Sequence, residues 1–167
     1  MEEKITVRMT DTYLFDFTLY HTYSKLAGFL TNILGAAIAF MGIIMLVMGK
    51  IKPVQIIFYL VAAVVFIAYT PLLLKYRSKK QVKGIERYHV PNEMTFNDEG
   101  IQVEFDDKKE TYEWEQIQKV VTTPKTIGFY YETEKALIVP KPDFGDKFVP
   151  ILTLATKKLG SARVHLR

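Results

Sequence analysis

The sequence has no cysteine, and only three histidines and one tryptophan in 167 residues. Without cysteine there is no disulfide framework, no thiolate metal ligand and no cysteine nucleophile. His21, His89 and His165 stand far apart, none with a second ligand at metal-site spacing, so each reads as a surface or packing residue. Phosphate loops, nucleophile elbows and zinc motifs are missing too. The adjacent carboxylates Asp106 and Asp107 share a turn with Lys108 and Lys109, and turn chemistry accounts for them. No catalytic residue, metal ligand or cofactor is therefore expected, and the chain reads as a non-enzyme.

Charge is absent from two long stretches. Leu26 to Gly49 is a run of 24 residues without a charge, bracketed by Lys25 and Lys50. As a helix it is roughly 36 Å long, enough to cross a hydrocarbon core of about 30 Å. Val54 to Leu74 is a second such run, joined to the first by "KIKP", which predicts a transmembrane helical hairpin over 26–74. A cleaved signal peptide is disfavoured, because the N-terminal flank is acidic and the apolar run is too long for one. Neither run contains Asp, Glu, Lys, Arg or His. Carriers and proton pumps need such groups at depth, so neither role is expected.

The formal net charge of +4 hides an uneven distribution. Residues 92–156 hold 7 Lys/Arg against 13 Asp/Glu, a net of −6, while the basic residues gather in a collar and a tail. A nucleic-acid binder spreads basic charge over its folded surface, so nucleic acid is not an expected partner. The collar, residues 75–91, contains Lys75, Arg77, Lys79, Lys80, Lys83 and Arg87. With Arg8 and Lys25 these make eight cations flanking the runs, within about 20 residues of them, on one side of the hairpin, against Lys50 and Lys52 on the other. That asymmetry predicts a multi-pass protein of the cell (inner) membrane with both termini in the cytoplasm. Beside an anionic leaflet each of these side chains is worth about 1 kcal/mol, so lipid headgroups are expected partners of the collar. A pure topology signal is the alternative.

Gly28, Gly35, Gly42 and Gly49 recur every seven residues along the first run, and Ala39 adds a small residue four after Gly35. Such a repeat marks a slowly winding stripe, and small residues let helix backbones approach closely. It is expected to be a packing face, either for Ala62 and Ala63 of the second run or for a second copy of the protein. The first of these makes a closed hairpin, the second a homo-oligomer.

The polar parts carry a period of two. In the N-terminal segment, residues 1–25, "ITVRMT" alternates as a strand does. Asp11 is then expected to cap a short helix, whose Tyr13, Phe17, Tyr20 and Tyr23 face either the membrane interface or a protein core. Within 92–167, "NEMTF", "IQVEF", "ETYEW", "QKVVTT", "TIGFYYE" and "KALIVP" read as six strands, with Gly100 suited to a positive φ in the first hairpin. The last segment places Phe148, Ile151, Leu152, Ala155 and Leu159 at helical spacing, with Asp146 as its cap. Lone Trp114 reads as core rather than as a ligand platform. The fold class expected is an α+β membrane protein: a two-helix transmembrane hairpin plus a pleckstrin-homology-like seven-stranded β-sandwich closed by a C-terminal helix. Whether "ITVRMT" joins that sandwich is left open by the sequence.

The series over residues 112–144 contains Trp114, Ile117, Val120, Phe129, Tyr131, Ile138, Pro140, Lys141 and Phe144 in order. With two preceding spans, it resembles the YcxB-like family of small bacterial membrane proteins. The resemblance implies a pleckstrin-homology-like soluble domain and supplies no catalytic residue. Lys141, held between Pro140 and Pro142, is a possible ligand rim beside the aromatic strand. Three functions fit these features: a membrane-anchored binding or scaffold module at the inner leaflet, an immunity-type protein protecting against an envelope-acting toxin or bacteriocin, and a homo-oligomeric membrane assembly.

Overall fold

A computed structural model of the protein describes residues 2–106 and 108–165, apart from the side chains of Ala27 and Arg87. It divides into two compact units, one of residues 1–17 with 78–167 and one of residues 18–77. The whole is α+β, with two sheets and two long apolar helices.

In the first unit, β1 (Glu3–Val7), β2 (Asn92–Phe96), β3 (Gly100–Phe105) and β4 (Lys108–Glu113) form an antiparallel sheet in that order. The N-terminal strand therefore joins the sheet, with Ile5 opposite Met94 and Val7 opposite Asn92. It ends at Val7 because the next backbone N–H, that of Arg8, donates to Asp143 Oδ2 at 2.7 Å. Alternation puts Ile5, Val7, Met94, Phe96, Ile101 and Val103 on one buried face, as a period of two dictates.

The second sheet contains β5 (Lys119–Thr122), β6 (Thr126–Tyr130) and β7 (Ala136–Pro140) in antiparallel pairing, and β8 (Val164–His165) parallel to β5. The strand order is β7-β6-β5-β8, so the described residues hold eight strands where the sequence pattern indicates seven. A two-residue strand has no alternation to reveal it; half-buried Val164 seats it on the core. Both sheets face one hydrophobic core, across which Phe96 and Phe129 lie with ring centroids 5.4 Å apart. After the short α4 (Lys141–Phe144), α5 (Phe148–Leu159) buries Ile151, Leu152, Leu154, Ala155 and Leu159 in that core.

Three local expectations are corrected. Gly100 does not take a positive φ; it is glycine because a Cβ there would meet the Tyr112 carbonyl and lie 2.9 Å from the Glu113 Cα. A left-handed residue occurs instead in the following β3–β4 turn, at Asp106 with φ 46°, while its neighbour Asp107 lies outside the described residues. Thr10, not Asp11, caps α1 (Asp11–Tyr23): its Oγ1 accepts from the Tyr13 N–H at 3.3 Å and its carbonyl from Leu14 at 3.0 Å. Asp146 does not cap α5, because it sits inside a 3-10 turn (Gly145–Lys147) and the residue next to the helix is Lys147, which makes no side-chain cap. Of the aromatic face of α1, Phe17 is buried at 5.5 Å from the Tyr130 ring and over Gly128, while Tyr13, Tyr20 and Tyr23 are half-buried.

In the second unit, α2 (Leu26–Val47) carries the first apolar run. Its end is a Schellman motif: Gly49, at φ 67°, donates to Leu46 O and Lys50 to Met45 O. α3 (Ile56–Gly84) carries the second run and continues through Pro71 to Gly84, past the end of the apolar run at Leu74. The glycine stripe is divided among three roles. A Cβ on Gly35 would lie 2.7 Å from Ile67 and 3.1 Å from the Ala63 carbonyl, and one on Gly42 would lie 2.6 Å from Tyr59, so these two admit α3 to close contact. Gly28 abuts Thr22, and Gly49 makes the turn. Half-buried Ala39 and Ala62, with buried Ala63, complete the residues of the predicted packing face. Outside this seam the apolar side chains are exposed, Phe40 at 64 % and Phe58 at 74 %. A buried core helix would cover them. Both helices are long and apolar enough to cross a membrane.

Candidate functional site

The sequence-predicted cations fall into two places. Lys75 and Arg77 are exposed on α3 in the second unit, and Lys79, Lys80 and Lys83 are exposed on its last turns in the first. Lys79 and Lys83, four apart, share a face. Ser78, 2 % exposed, marks the packed side of the same turns. The Arg87 side chain lies outside the described residues.

Lys141 lies at a cleft of about 480 Å³ whose other walls are Thr10, Thr12 and Tyr13 at the start of α1 and Pro124 and Lys125 in the β5–β6 turn. The register explains the convergence. Thr126 pairs with Pro140 across β6 and β7, and Lys141 N donates to Lys125 O at 2.9 Å, so two Pro-Lys dipeptides sixteen residues apart meet at one end of the sheet. Lys125 was missed in the sequence reading; the repeated Pro-Lys at the two ends of a hairpin was its signal. Asp16 fastens α1 to the same turn, accepting from Thr123 Oγ1, from Lys125 N at 3.1 Å and from Thr126 Oγ1 at 3.4 Å. All three donors converge on Asp16 Oδ2. Among the described residues, neither the Lys125 nor the Lys141 ammonium group makes an ion pair. Nearby Asp143 is partly buried, and that burial pushes its carboxyl above the usual range against the opposing pull of the Arg8 N–H.

Trp114 is 3 % exposed and donates from Nε1 to the Asn97 carbonyl at 2.9 Å, which makes it a core and turn-fixing residue. His89 and His165 are exposed and His21 is half-buried on α1. Among the described residues, the surface thus offers exposed positive charge on the last turns of α3 and at the Lys125–Lys141 cleft.

Residues 96–149 match the model of the family described as YcxB-like protein. This stretch contains the whole 112–144 series that carries the resemblance, with Lys125 and Lys141 both inside. No curated protein and no solved structure matches the chain.

Proposed function

We propose that the protein is a non-enzymatic binding module anchored in the bacterial cell membrane, with a pleckstrin-homology-like domain held at the cytoplasmic leaflet and anionic lipid headgroups as its ligands. The observation that carries this reading is the course of α3. At 29 residues it is about 44 Å long, more than the roughly 30 Å of a hydrocarbon core, and the surplus turns bear exposed Lys79, Lys80 and Lys83. A four-stranded meander, a second sheet and a C-terminal helix over one core support the pleckstrin-homology-like description. The eight-to-two distribution of flanking cations supports cytoplasmic termini. The Lys125–Lys141 cleft adds a second place for negative charge.

At about 1 kcal/mol per cation near an anionic surface, replacing Lys79, Lys80 and Lys83 with Gln is expected to weaken phosphatidylglycerol retention by up to about 100-fold. Native mass spectrometry of the detergent-solubilised full chain, with phosphatidylglycerol competing against phosphatidylcholine, measures it. Equal retention by the triple variant and the wild type would reject the headgroup reading. Added salt should reduce the wild-type preference, because the contact is exposed.

A further inference from the structure

The two-sheet unit has a second, partly open hollow, unrelated to the lysine cleft. It has a volume of about 150 Å³ and lies between the inner face of the first sheet and β7, at the edge of the second. Its lining contains no Asp, Glu, Lys, Arg or His. An ionised ligand would find no opposite charge in that lining, which therefore suits a neutral one.

The walls define the rest of its chemistry. Half-buried Tyr88, Tyr112 and Tyr131 line it, and the last two stand with ring centroids 4.7 Å apart at 45°. Met9 and Met94 contribute polarisable thioethers, which pack well against ring edges. A volume of about 150 Å³ suffices for one benzene-sized ring. Hydrogen-bonding groups come from two sources. The buried Asn92 carboxamide is one. The free edge of β7 is the other: Tyr131 N donates to Lys135 O and Lys141 N to Lys125 O, which fixes Leu137 and Val139 as the residues exchanging bonds with β6. The backbone N–H and C=O groups of Ala136 and Ile138 consequently point away from β6, and both residues line the hollow.

We propose that this hollow is a small-molecule site for a neutral ligand of one aromatic ring bearing a single hydrogen-bonding substituent, such as a hydroxyl. The site is independent of the headgroup contacts, and either can fail without the other. A ring sits among the methionines and tyrosines, while its substituent meets the β7 edge or Asn92.

The test uses the full chain in lipid nanodiscs with ¹³C-methyl methionine, 4-methylphenol as probe and toluene as its hydroxyl-free counterpart. The Met9 and Met94 methyl signals should shift saturably with 4-methylphenol, whereas Met41, Met45 and Met48, on or next to α2, report partition into lipid. Filling the hollow with Ala136→Leu should weaken binding about tenfold or more, with dispersed Met9 and Met94 signals showing that the fold survives. If they collapse, the milder Ala136→Val takes its place. Toluene should bind more weakly than 4-methylphenol, since it offers nothing to the outward-pointing N–H and C=O groups of Ala136 and Ile138. No saturable shift, an equal shift in the filled variant, or equal affinity for the two probes would overturn the proposal and leave a hydrated hollow only.

Discussion

Trp114→Ala is expected to destabilise the two-sheet unit by about 3–5 kcal/mol, in the range for truncating a buried aromatic side chain. Trp114 is 3 % exposed and belongs to the shared core, so its removal leaves a cavity lined by side chains already in close contact. It also ties down a turn. Asn97 Oδ1 accepts from both Glu99 N and Gly100 N at 3.0 Å, and its carbonyl accepts the Trp114 indole at 2.9 Å. Trp114→Ala therefore strips a partner from the residue that organises the β2–β3 hairpin. Trp114→Phe, which keeps much of the volume and loses the hydrogen bond, should cost less. Chemical denaturation of the full chain in detergent, followed by circular dichroism, measures both. A loss below about 1 kcal/mol for Trp114→Ala would place the residue outside the core.

Gly100→Ala should be comparably severe, at about 3 kcal/mol or more, because the obstacle is backbone and not a movable side chain. The new Cβ would press on the Tyr112 carbonyl, 2.9 Å from its carbon and from the Glu113 Cα, in the strand paired directly with β3. Relief requires moving β4 away from β3 and breaking the ladder between them. Gly84→Ala is the control: nothing lies within 4 Å of a Cβ there, and alanine suits the last residue of α3 better than glycine does. A thermal melt in which Gly100→Ala behaves like Gly84→Ala would contradict the observed register of β3 and β4.

These two residues show where sequence reading succeeds and where it stops. Trp114 as core is legible because the strands around it alternate, and alternation is local: Ile101 and Val103 identify their face within six residues. The apolar runs are legible for the same reason. Gly100 is misread because its neighbour in space is Tyr112, and a close approach between strands leaves no mark at the glycine itself. Thr10 and Asp11 are both good capping residues, and the choice between them depends on where β1 ends, which Asp143 decides from the far end of the chain. The glycine stripe has one period in the sequence and three environments in the fold, because only Gly35 and Gly42 meet α3.

The candidate sites follow the same pattern. Lys141 stands out between two prolines, but its partner Lys125 becomes visible only once the β6–β7 register brings the two Pro-Lys pairs together. The ring-sized hollow gathers residues from β1, β2, β4 and β7 and from loops beside them. No window of sequence contains it. The collar is the reverse case, dense in sequence and already complete as a pattern before the course of α3 is known.

The proposed function requires a membrane hairpin with both termini on the cytoplasmic side, and the absence of cysteine makes that directly measurable. Lys52→Cys and Thr133→Cys, each a single thiol at an exposed position, are labelled separately in intact cells with a membrane-impermeant maleimide. Labelling at position 52 alone, with position 133 reacting only after lysis, is the predicted result. Labelling at position 133 in intact cells would contradict the account, placing the two-sheet unit outside and the lysine collar away from the cytoplasmic leaflet.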